Sequence, residues 1–209
     1  MKFFHKVCRQ LSFALTLTLA LLSSATANAS TLMQLSIEQV LHRAELVFEG
    51  EVLATDTVER ADGSIRTYVR FAVTDLIKGA YSNDTIDLSY LGGRLGDRQL
   101  RVSDMQIPAV GEVGIYFVES VSQSMVSPLV GWAQGHYLIE RIGGDTIIST
   151  ADGQAVVAVN AGSASASSSF STGVAKGIVV PKSAFAKQLT KPLTPRQFKQ
   201  ALRAIMDEQ

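Results

Sequence analysis

The chain has 209 residues, with 19 Lys and Arg balanced by 19 Asp and Glu, and 46% of its residues are apolar. That is ample material for a single folded core, and it lacks the concentrated basic face that a nucleic-acid partner favours. The single cysteine, Cys8, excludes a disulfide framework.

Residues 1–29 read as a cleavable export signal. Lys2, Lys6 and Arg9 form a positive n-region, residues 11–22 an apolar core, and Ala27, Asn28 and Ala29 a small-x-small cleavage site. The apolar run is shorter than the roughly 20 residues of a membrane span, and no second long run follows it. Cys8 precedes the apolar core, which argues against a lipoprotein. The expected mature chain is residues 30–209, periplasmic or secreted, with no transmembrane segment. Loss of three cations leaves 16 Lys and Arg against 19 acids, a net charge of −3, and no cysteine at all.

Ser36 can cap a short helix, with Gln39 reaching back as its capping-box partner. Ile37, Val40, Leu41 and Ala44 share its apolar face, and His42 falls on the polar side as a surface histidine. A long β-hairpin follows over 46–78. Leu46, Phe48, Val52, Ala54 and Val58 alternate on the first arm, and Ile65, Thr67, Val69, Phe71 and Val73 on the second. Period-2 alternation marks strands with one buried and one wet face. Asp62 and Gly63 supply the turn between the arms. Residues 85–91 alternate as a third strand.

Gly92, Gly93, Arg94, Leu95, Gly96 and Asp97 come next. The cluster lacks the spacing of a phosphate-binding loop, and no helical pattern follows it. Its bland reading is a bulge where glycine supplies positive φ. Its functional reading is a ligand-facing loop, with Arg94 and Asp97 as polar contacts. A short strand is expected near 99–102. Residues 113–118 are apolar on both parities, which predicts a central strand covered on both faces. A second glycine-bracketed stretch holds Trp132, Gln134 and His136. Strands over 136–142, 146–150 and 155–159 read as a meander with turns at Gly143–Gly144 and Asp152–Gly153.

Residues 161–175 are Ser-, Ala- and Gly-rich and read as a loop or linker. They divide a β-barrel domain, 30–160, from a C-terminal segment, 176–209. In that segment residues 177–181 are expected to pair with the sheet. A helix is expected over about 195–207, with Thr194 as N-cap and Pro195 at its first position. Phe198, Ala201, Leu202 and Ile205 form its docking face.

Catalytic and metal patterns are absent from the sequence. Two histidines, His42 and His136, remain after cleavage, without H-E-x-x-H, C-x-x-C or G-x-S-x-G. No catalytic residue, metal ligand or cofactor is therefore assigned.

An ordered set of segments resembles a family of exported bacterial proteins of unknown function. The set runs VFEGEVLAT, IRTYVRFAVTDLIKGAYSNDTIDLSYLGGRLGD, PAVGEVGIYFVES and PLVGWAQGHYLI. More distantly, the strand order is similar to the OB-type barrel of netrin-like domains, which include the tissue inhibitors of metalloproteinases. In those inhibitors an N-terminal cysteine pair faces the protease zinc. Ser30 and Thr31 stand here instead, so the inhibitory residues do not carry over.

The expected fold is all-β: a small antiparallel OB-like, netrin-like barrel with a short N-terminal helix and a C-terminal amphipathic helix. The expected function is a non-enzymatic exported binding module for an envelope or secreted protein or a glycan. Its candidate surface is Gly92, Gly93, Arg94, Gly96, Asp97, Trp132, Gln134 and His136, with a barrel plug as the bland reading of Trp132. Two alternatives are an inhibitor of a secreted metalloprotease, acting through Ser30, and a small hydrolase using His136 or a carboxylate pair.

Overall fold

The computed structural model describes residues 32–162, 173–181, 183 and 189–208. The expected export signal and most of the expected 161–175 loop lie outside the described residues.

Helix α1 (Ile37–Arg43) begins at the expected capping box. Ser36 Oγ accepts from Gln39 N–H, and Gln39 Oε1 accepts from Ser36 N–H. Its last carbonyls meet an unexpected partner. Lys78 Nζ donates to the carbonyls of Leu41 at 2.5 Å, Ala44 at 2.7 Å and His42 at 3.3 Å. A cation there satisfies orphan acceptors and complements the negative end of the helix. Burial holds the Lys78 ammonium below the usual lysine range. Lys78→Met should therefore lower the unfolding free energy by roughly 1–2 kcal/mol in a urea titration.

The hairpin pairs β1 (Leu46–Glu59) with β2 (Ile65–Lys78). Leu46, Phe48, Val52, Val69 and Phe71 share a core, as their alternation predicts. The parity breaks at a register shift between Val52 and Ala54: Ala54, expected on the buried face, pairs with Arg70 and is exposed. At the turn Gly63 has φ +79°, and Asp62 Oδ1 accepts from Ser64. Then follow β3 (Thr85–Leu91), β4 (Gly93–Leu95), β5 (Arg98–Leu100), β6 (Val113–Val118), β7 (His136–Ile142) and β8 (Asp145–Thr150). A six-stranded antiparallel sheet results, in the order β3-β2-β1-β6-β7-β8.

Central strand β6 is covered on both faces, as its double parity predicts. Ile115 and Phe117 enter one core, Tyr116 and Val118 the other. The first core lies under α1 and α2 (Pro195–Asp207), where Val40, Leu41, Phe198, Leu202 and Ile205 are buried against β6 to β8. α2 carries its own capping box, Thr194 with Gln197, and Pro195 in its first turn. Lys199 fastens it further, donating to Glu49 and Asp75 at 2.7 Å each. The second core is closed by loops, with Leu129 buried in it and Met105 and Ile107 packed against it.

The expected barrel does not close. β3 and β8 are the two edges of an open sheet, and local partners occupy the backbone groups that closure would have used. At β8, Ile148 N–H donates to Leu193 O, and Ile148 O accepts from Val156 N–H. At β3, Val126 O accepts from Leu91 N–H, Tyr81 Oη donates to Thr85 O, and Arg66 Nη2 donates to Ser89 O. Edges blunted in this way are protected from pairing with other chains.

The last expected strand also differs. Ala155 bridges to Ser149, but the chain then leaves the sheet, and β9 (Ala158–Val159) pairs with β10 (Ile178–Val179). Residues 177–181 thus return to β9 rather than to the main sheet. Val174 and Ala175, at the end of the expected 161–175 loop, pack into the first core together with Ile178 of the C-terminal segment.

Candidate functional site

The glycine cluster is explained by close approach. Gly92 N–H donates to Ile65 O at 2.7 Å, and Gly92 O accepts from Thr67 Oγ1 at 2.8 Å. A Cβ on Gly93 would lie 2.2 Å from Thr67 Oγ1, and Gly93 has φ +130°. These glycines let the small β4–β5 hairpin pack on β1 and β2. Gly96, at φ +58°, forms its turn in open space. Arg94 is exposed and donates to Gly96 O at 3.2 Å, while Asp97 is exposed beside it. The expected polar loop therefore exists, but none of its residues lines a cleft with Trp132.

Gln134 and His136 are placed inside the protein, not on a shared surface. Gln134 is 0% exposed. Its Oε1 accepts from Leu35 N–H at 2.7 Å, and its Nε2 donates to Met33 O at 3.0 Å and Gly131 O at 3.3 Å. Its role is to hold the segment that leads into α1. His136 is 2% exposed and stacks on Tyr116 with ring centroids 5.0 Å apart. Its Nε2–H donates to Glu112 Oε1 at 2.8 Å. The Tyr116 hydroxyl donates to the same oxygen at 3.3 Å. Burial, and then the Glu112 charge, push the Tyr90 and Tyr116 hydroxyls far above the usual phenol range. Both stay protonated at any ordinary pH, so neither can act as a base.

Trp132 is placed differently. Its backbone has φ +59°, directly after Gly131 at φ +57°. Successive left-handed residues turn the chain sharply out of Leu129, whose carbonyl accepts from Trp132 N–H at 3.1 Å. Glycine tolerates that conformation and a bulky side chain does not, at a cost of about 1–2 kcal/mol. The indole is only partly buried. It lines a cleft of about 330 Å³ together with Met33, Met125, Val126, Arg43 and Glu119. Met33 is 65% and Val126 40% exposed, so apolar surface faces water there.

One wall of this cleft depends on Arg66, a buried arginine. It donates to Ser89 Oγ at 2.7 Å and also to the carbonyl of Met125. With Leu91 N–H on Val126 O at 2.8 Å, these bonds pin the loop carrying Met125 to the end of β3. The other wall, Met33, is held by Gln134.

Arg43, Glu119, Met33 and Met125 were not singled out from the sequence. Met125 had a readable signal, an apolar pair in the polar run ESVSQSMVSP. Arg43 and Glu119 had none. Among the described residues, no three of His, Cys, Asp and Glu converge as a metal site. No described helix is long and apolar enough to cross a membrane. Compared with known protein families, curated proteins and solved structures, the chain matches none.

Proposed function

We propose that the chain is an exported, non-enzymatic binding module of the cell envelope, and that the Trp132 cleft is its contact surface. The observation that carries this reading is Trp132 itself. It is a large aromatic held in a left-handed backbone on the wall of an open cleft. Strain kept at a partly exposed aromatic is a feature of binding sites, and tryptophan supplies both apolar area and a donor.

The other conspicuous residues have folding duties. Lys78 closes α1, Gln134 holds 33–35, and His136 anchors Glu112. The long β1–β2 hairpin in an antiparallel sheet, with one helix ahead of it and one at the end, is what the netrin-like resemblance rests on. The His136 version of the hydrolase alternative loses its support, because His136 is packed in the core against Tyr116. One observation favours the protease-inhibitor alternative: Leu32 and Met33, just after the expected mature terminus, line the cleft. Inhibition of co-exported metalloproteases that is abolished by one extra N-terminal residue would support it.

The binding reading is tested by capture from the organism's own envelope fraction. Wild-type protein should retain material that Trp132→Gly does not. Capture unchanged by the substitution, or no capture by either, contradicts the reading.

A further inference from the structure

We infer that the Trp132 cleft takes a polypeptide segment presenting one bulky apolar side chain between an acidic and a basic residue. This rests on the binding reading above and names the class of partner.

The lining is the first argument. Two methionines and an indole line the cleft together with Leu32, Leu35 and Val126. Thioethers and indoles adapt to apolar side chains of many shapes. A glycan instead needs several polar groups around an aromatic platform, and here the polar lining is sparse. The Ser127 hydroxyl already accepts from Leu129 N–H at 3.2 Å. Beyond the Trp132 indole N–H, the polar side chains left are those of Arg43 and Glu119.

Charge is the second argument. Arg43 and Glu119 line the same cleft but form no ion pair with each other, and neither side chain has a partner among the described residues. A fatty acid or other anionic amphiphile would satisfy Arg43 and be repelled by Glu119. A ligand carrying both signs satisfies both, and a polypeptide provides that arrangement around an apolar side chain. Opposite charges placed in this way set the direction in which a segment lies. The volume, about 330 Å³, is at the small end of ligand pockets and suits a side chain with its flanking backbone.

Trp132 is the only tryptophan in the chain, so its fluorescence reports on this cleft alone. The probes are blocked pentapeptides with the centres Glu-Phe-Lys and Lys-Phe-Glu. Controls carry serine at the centre, or two like charges, and a soluble peptidoglycan digest represents glycans. One of the two mixed-charge peptides should shift the emission saturably, with at least about tenfold tighter binding than the controls. Exchanging the charges in the double variant Arg43→Glu with Glu119→Arg should reverse the preferred order. The inference is overturned if no peptide saturates the signal, if the exchange leaves the preference unchanged, or if only the digest saturates it. Trp132-dependent envelope capture alongside peptide failure would remove this inference and leave the binding reading standing. Loss of both would remove both.

Discussion

Replacing Gln134 with leucine should destabilise the protein by roughly 3–5 kcal/mol, although the two side chains are of similar size. The amide is fully buried and uses both ends. Leu35 N–H gives it a 2.7 Å bond, and its own N–H₂ group reaches Met33 O and Gly131 O. Leucine would leave a buried donor and two acceptors without that partner, each costing about 1–3 kcal/mol less whatever water recovers. The effect should also be directional. The segment released is the one carrying Met33, so the cleft loses a wall and Trp132 emission should move to the red in the folded variant. A urea titration read by circular dichroism, with emission spectra before the transition, checks both parts. Gln134→Leu with wild-type stability would mean that the segment is held elsewhere.

The second large effect is expected at Gly50. This residue sits on β1 opposite Gly114 of β6, beside a register shift in the β1–β2 pairing. A Cβ there would lie 2.4 Å from the Ala72 carbonyl oxygen and 2.8 Å from the Phe48 ring. The nearest obstruction is the backbone oxygen, so no rotamer change of Phe48 relieves it. Phe48 in turn packs on Phe71 at 5.6 Å and Tyr116 at 5.4 Å, so displacing its ring disturbs the aromatic centre of the second core. Gly50→Val should cost about 3–4 kcal/mol or prevent folding, at or above the upper end of ordinary overpacking. Gly63→Ala in the hairpin turn provides the contrast. Its Cβ would come no nearer than 4.0 Å to any neighbour, the Glu59 carboxylate, so it should cost about 1 kcal/mol, mainly from φ. Comparable losses at the two sites would show that close approach at Gly50 is not what matters.

Local chemistry was legible where the partners are near in sequence. Ser36 with Gln39 and Thr194 with Gln197 are three residues apart, and both capping boxes form. The alternation from Leu46 through Val52 and from Ile65 through Phe71 marked a buried face, because period 2 records which way a strand residue points. The double parity of 113–118 marked a strand between two cores for the same reason. Nothing local records which strand ends meet, and so the sheet was expected to close. Whether β3 and β8 join depends on Leu193, Val156, Tyr81 and Arg66 taking up their edges.

The same limit separated the candidate residues. Trp132, Gln134 and His136 look alike in sequence, three conspicuous side chains between glycines. Gln134 is internal because of Leu35, 99 positions away, and His136 because of Glu112, 24 positions away. Trp132 faces the cleft because Gly131 and Trp132 turn together in the left-handed region. Arg43 and Glu119 carry no local pattern, since a single charge at a helix end or after a strand is the ordinary place for one.

The claim that Trp132 serves contact and not packing is tested most directly by the unfolding free energy of Trp132→Gly. Removing the indole gives up part of an aromatic burial worth roughly 1.5–3 kcal/mol when complete. Glycine at φ +59° recovers about 1–2 kcal/mol of backbone strain. The variant should therefore fall within about 1 kcal/mol of wild type. A loss of 3 kcal/mol or more, on the order of a buried aromatic truncation, would make Trp132 a plug of the core and contradict the account.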